Sequence, residues 1–171
     1  MPTLSEVLPL SWAKFTALDV KQNEKGYEAL LVPYLPRERI VEHMNAVLGR
    51  DNWDHELLLG DNLLISRVTI HGERAIISSA TVMIDKVVAA DRDPGDAAFE
   101  RCTRIMLNIG SYLDKATPVR VRCDTKPDNP KKIARLHDDP HVALFHALPE
   151  VYRMALPPEQ LLEGIGKAKA A

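Results

Sequence analysis

The residues best suited to chemistry in this 171-residue chain lie in His137-Asp138-Asp139-Pro140-His141, which gathers imidazole and carboxylate groups within five positions. Such a set would serve a metal-dependent hydrolase built on His137, Asp138 and His141. Pro140 interrupts the helix that a histidine pair at i and i+4 would need, and no HExxH pattern or distant cluster completes a ligand shell. A capping turn ahead of an apolar helix accounts for the segment equally well. Gly164-Ile165-Gly166 lacks the third glycine, the Lys-Ser/Thr pair and the preceding strand of a phosphate loop. No GxSxG elbow is present. The two cysteines, Cys102 and Cys123, form neither a CxxC pair nor a zinc spacing and have no histidine base beside them in sequence. The expectation is a protein without catalytic residues, metal or cofactor.

The net charge of -2 conceals an asymmetry. Residues 1–100 carry 10 Lys/Arg against 16 Asp/Glu, whereas residues 101–171 carry 12 against 8. Between Arg101 and Arg135 stand nine basic residues and three acidic ones. A basic strip on an acidic body is the electrostatic footprint of a protein that binds a polyanion; the rival reading is a solvated loop rich in Lys and Pro. Aromatic residues make up only 5% of the chain, too few to hold single strands mainly by base stacking. A nucleic-acid binder of this composition would grip phosphates and leave the bases turned outward.

An apolar fraction of 46% and a mean hydropathy of -0.17 suit one globular domain with a true core. No apolar run approaches the roughly 20 residues of a membrane span, and the first residues lack the pattern of a signal peptide. The expected setting is the cytoplasm, at the nucleoid if the source is bacterial or in the host cytoplasm if it is a phage, with no membrane partner.

The patterning predicts the elements that must position these residues. Residues 1–26 give few signals, and residues 27–34 read as a short strand. Pro36 opens a helix over residues 36–48, with Ile40, Met44, Val47 and Leu48 as one apolar stripe and Gly49 as its stop. Strands follow at residues 53–59, 63–70 and 74–84, separated by Asp61-Asn62 and by the Gly-containing His71-Gly72-Glu73, which predicts an antiparallel meander. Asp93-Pro94 caps a second helix, in which Ala98, Cys102, Ile105, Met106, Ile109 and Leu113 should pack on the meander and leave Arg101 and Arg104 outward. Beyond it we expect a short edge strand at residues 119–123, a loop at 126–130 and short helices at 142–148 and 159–165. The fold class is therefore α+β: helix, three-stranded meander, long helix packed on the sheet, and a short C-terminal extension. In this reading an N-terminal segment (1–26) precedes a core (27–123) and a basic loop with helical extension (124–171).

The stretch from Arg39 to Leu57 resembles the opening of the Rad-fifty-two-type single-strand annealing family: an Arg followed by two aliphatics, an Asn six residues on, an aromatic-Gly pair, then a Gly-Trp-x-His-x-aliphatic strand. Arg39, Asn45, Leu48-Gly49, Trp53, His55 and Leu57 stand at those places. Ala29-Leu30-Leu31-Val32-Pro33-Tyr34-Leu35 is similar to the lead-in of the bacterial DdrA branch, and Asn108-Ile109-Gly110-Ser111-Tyr112-Leu113 resembles that branch's Gly-Ile-Gly-Arg-Tyr-Leu. The likeness spans about residues 28–115. It departs in the long helix, where the family's Thr/Ser-Asp-x-x-Lys-Arg reads Ala97-Ala98-Phe99-Glu100-Arg101-Cys102, and the usual Phe-Gly is Leu107-Asn108.

The resemblance implies single-stranded DNA binding and strand annealing in recombination or repair by a homo-oligomeric ring or helix, with a recombinase or single-strand-binding protein as a further partner. The residues it points to are Arg39, Arg101 and Arg104, to which the meander adds Arg67, Arg74 and Lys86. Each has a rival reading: Arg39 can pair with Glu42 or Glu38, and Arg67, Arg74 and Lys86 can be plain solvent-face charges. Trp53, Asn45 and His55 suit packing and local hydrogen bonds better than base contact. The alternatives in function are an end-protecting DNA binder that does not anneal, the hydrolase above, and an oligomeric adaptor without a DNA site.

Overall fold

A computed structural model describes residues 1–157. In chain order its elements are β1 (Lys14–Asn23), β2 (Gly26–Tyr34), α1 (Arg37–Leu48), β3 (Trp53–Leu59), β4 (Leu63–Ile70), β5 (Ile76–Met83), α2 (Ile84–Ala89), α3 (Pro94–Met106), β6 (Val119–Lys126), β7 (Asn129–Leu136), α4 (Pro140–Ala147) and α5 (Glu150–Met154). Short 3-10 turns lie at Leu10–Trp12 and Ser111–Ala116. The class is α+β, with antiparallel sheets of four strands (β1-β2-β6-β7) and three (β3-β4-β5). The chain forms two compact units, Met1–Glu6 with Leu35–Ser111, and Val7–Tyr34 with the residues from Tyr112 onward.

The first unit is the expected helix, meander and helix. Register runs Trp53↔Ile70 and His55↔Val68 between β3 and β4, then Val68↔Ser78 between β4 and β5. Alternation therefore sends Trp53, His55, Ser66, Val68 and Ser78 to one face. Helix α3 covers that face through Phe99 and Cys102, both fully buried. The Cys102 thiol donates to the Ser78 carbonyl at 3.4 Å. Asp93 accepts the Asp96 N–H at 2.9 Å and Pro94 fills the first turn, as the capping signal implies. Ile40 and Met44, four apart on α1, are fully buried.

Helix α3 ends earlier than its periodicity predicts. It stops at Met106 because Asn108 takes a positive φ of 62° and the Ile109 N–H turns back to the Thr103 carbonyl at 3.1 Å. Ile105 and Met106 are consequently about half exposed rather than packed, while Ile109 and Leu113 are buried after the helix has ended. Lys86, expected on the meander, lies on α2, a helix that the sequence reading omits.

The second unit corrects the reading of both chain ends. Residues 14–23, silent in sequence, form β1, whose mostly exposed side chains give no apolar signal. It pairs with β2 through a two-residue turn at which Gly26 has φ 128°. The strand expected at the sheet edge, residues 119–123, lies inside the sheet: β6 sits between β2 and β7. Its alternation is clean, with Val119, Val121 and Cys123 buried and Arg120 and Arg122 exposed. The loop expected at residues 126–130 is a hairpin turn leading into β7. Pro130 is tolerated there because β7 is an outer strand, where a missing N–H breaks no ladder. Helix α4 matches the helix expected at 142–148 and packs on β6. The helix expected at 159–165 falls outside the described residues.

Gly110 has φ 74°, and a β-carbon there would stand 2.7 Å from Leu35 Cδ1. Left-handed strain and the clash with a buried leucine add. Gly110→Ala should lower unfolding free energy by about 2–3 kcal/mol, read as a shifted urea midpoint; an unchanged midpoint contradicts this packing.

Candidate nucleic-acid interface

Three of the six cations proposed from sequence are held by neighbouring carboxylates. On α1, Arg39 Nη1 donates to Glu42 Oε2 at 2.8 Å. On α3, Arg104 Nε donates to Glu100 Oε1 at 2.9 Å, and Glu100 is itself buried. Across the meander, the β3–β4 register sets Glu56 opposite Arg67, whose Nε donates to the Glu56 carboxylate and holds it below the usual carboxylate range. The rival reading of Arg39, a pair with Glu42, is the one the geometry displays. Arg74 in the β4–β5 hairpin, Lys86 on α2 and Arg101 on α3 are exposed. Among the described residues these three make no ion pair.

The motif residues have local work. Trp53 Nε1 donates to Asn45 Oδ1 at 2.9 Å, tying the start of β3 to α1. Phe99 takes the indole stacked at 6.1 Å, the His55 ring tilted at 4.5 Å and the Arg37 guanidinium over its face at 5.1 Å. His55 Nε2 lies 2.9 Å from Ser66 Oγ. These contacts explain the residue types at 45, 53 and 55 as packing and hydrogen bonding. Cys102 faces the sheet, so the position that is basic in the annealing family points inward in this chain; burial pushes its thiol pKa up.

The histidine–aspartate segment separates its side chains. His137 Nε2 meets Asp124 Oδ1 at 2.8 Å, while Asp138 receives two bonds from the Arg122 guanidinium, 3.0 Å from Nε and 2.7 Å from Nη2, and one from its backbone N–H, which together hold its carboxyl below the usual range. His141 Nε2 sits 2.9 Å from the Ala13 carbonyl, and its ring meets Phe15 edge-on. Asp139 caps α4 by accepting the His141 N–H. Among the described residues no three His, Cys, Asp or Glu side chains gather into a group that could hold a metal ion, and no helix is long and apolar enough to cross a membrane.

Sequence reasoning placed Lys126, Lys131 and Lys132 in a Lys/Pro-rich loop, a rival footprint to the helices, and missed that β7 makes this stretch a hairpin with β6. Lys126, Lys131, Lys132 and Arg135 are exposed on it, and among the described residues none of the four forms an ion pair. The signal was present: alternation in Val119-Arg120-Val121-Arg122-Cys123, then Pro127-Asp128 at a turn. Comparison with protein-family models, curated proteins and solved structures finds no match for the chain.

Burial, and next the Arg37 charge, lower the His55 pKa from 6.5 to about 4. The unfolded chain therefore binds more protons between those values. The stability that comes from keeping His55 neutral is complete above about pH 6.5 and declines as pH falls toward 4. NMR titration should place His55 near 4, and His55→Gln should flatten the acid side of the stability profile. A midpoint near 6.5 contradicts the half-buried, neutral ring.

Proposed function

We propose that this chain binds single-stranded DNA through its phosphates and promotes annealing, as an assembly of many copies in a ring or helix. The observation that carries the reading is the first unit: helix, antiparallel meander and capped long helix occur over the residues whose motif resembles the annealing family. Self-association has separate physical support. The meander's second face is uncovered and carries Leu58, Leu63, Ile77 and Met83, each 39–64% exposed. Its outer strands β3 and β5 have no further strand partner among the described residues, and open edges of this kind favour association. Copies summed around a strand turn weak phosphate contacts into tight, salt-sensitive binding. The scarcity of aromatics leaves base edges accessible to a complementary strand.

Light scattering should give a mass many times 19.1 kDa at micromolar concentration, and a mobility shift should favour single-stranded over duplex oligonucleotide, unchanged by chelator. A monomer that shifts neither contradicts the proposal.

A further inference from the structure

Strand β2 pairs with β6 only from Val119 to Cys123. Past Cys123, β6 is held by β7 alone, through Asp124↔Arg135, Thr125↔Ile133 and Lys126↔Asn129. By strand pairing residues 124–135 thus run on past β2 as a two-stranded ribbon, and β7 also comes close to β1. The whole hairpin carries six Lys/Arg and two Asp/Glu. Arg120 and Arg122 are tied to Glu28 and Asp138, and Asp124 is engaged by His137. Lys126, Lys131, Lys132 and Arg135 are exposed on the ribbon and form no ion pair among the described residues, Arg135 standing opposite Asp124 in the ladder. The first unit, by contrast, holds nine Lys/Arg and thirteen Asp/Glu.

We propose that this ribbon is an arm that grips the phosphate backbone of single-stranded nucleic acid, an inference that rests on the function proposed above and names its contact surface. Edge protection is the competing use of Lys and Pro on an outer strand. Pro130 already interrupts pairing at the start of β7, and Lys126 stands on β6, away from the outer edge, so protection does not account for it. Each cation that meets a phosphate releases condensed counterions, which makes such an arm effective without stacking platforms.

Anisotropy of a labelled oligothymidylate, titrated across salt, tests the arm. Lys126→Gln, Lys131→Gln, Lys132→Gln and Arg135→Gln together should lower the slope of log affinity against log salt by about 2.8 for each copy on the strand and weaken binding at least several-hundred-fold, roughly, at 0.1 M salt. Lys131→Gln with Lys132→Gln, a milder change to the ribbon, should remove about 1.4 of that slope per copy. Lys126→Arg, Lys131→Arg and Lys132→Arg together should bind like the wild type, and the assembly mass should not change in any variant. Wild-type binding with an unaltered slope in the glutamine variants overturns the arm and leaves the proposed function standing. Loss of assembly in the glutamine variants makes the hairpin a contact between copies and also overturns the arm. A wild type that binds no single strand overturns both.

Discussion

Phe99 is the contact on which the helix–meander–helix unit depends. It is fully buried and takes Trp53 and His55 from β3 on one hand and Arg37 from the start of α1 on the other. An aromatic ring of this size contributes through area and ring geometry together, and it sets α3 over the meander. With α3 so placed, Cys102 must face Ser78 and Arg101 must face solvent. Truncating such a ring typically costs about 3–5 kcal/mol, so the orientation of every charge on α3 follows from this one packing.

Register decides which cations stay available. In an antiparallel sheet a residue's opposite neighbour is dictated by pairing, and here pairing brings Glu56 to Arg67 and Glu28 to Arg122, while Arg120 reaches the same Glu28. On helices the i+3 and i+4 spacing does the same for Arg39 with Glu42 and for Arg104 with Glu100. The exposed pairs among these contribute little stability, yet every pair reduces the charge offered to a phosphate. The β6–β7 ribbon escapes because its acidic residues are few and one of them is already engaged by histidine.

The legibility of this chain follows the same physics. Strong apolar periodicity and good caps made α1, the meander and the start of α3 readable, since Ile40, Met44 and the Asp93-Pro94 cap act locally. The end of α3 was not readable, because Ile109 and Leu113 continue the spacing while Asn108 alone turns the backbone. Strand β1 was hidden by its mostly exposed side chains. Strand β7 was hidden by Pro130 and adjacent lysines, which suit a loop and an outer strand alike. The candidate site was less legible than the fold: sequence shows where cations are, but the register that supplies their carboxylate partners belongs to the tertiary structure.

In the proposed function many copies of this chain grip the phosphates of one strand and leave its bases open to pair. The most direct test is the pairing of two complementary oligonucleotides carrying a donor and an acceptor dye, one strand preincubated with the protein, in buffer without metal or nucleotide. The account predicts energy transfer appearing well ahead of spontaneous pairing and slowing steeply as salt rises. Pairing at the spontaneous rate, under conditions where the protein coats the strand, would contradict it.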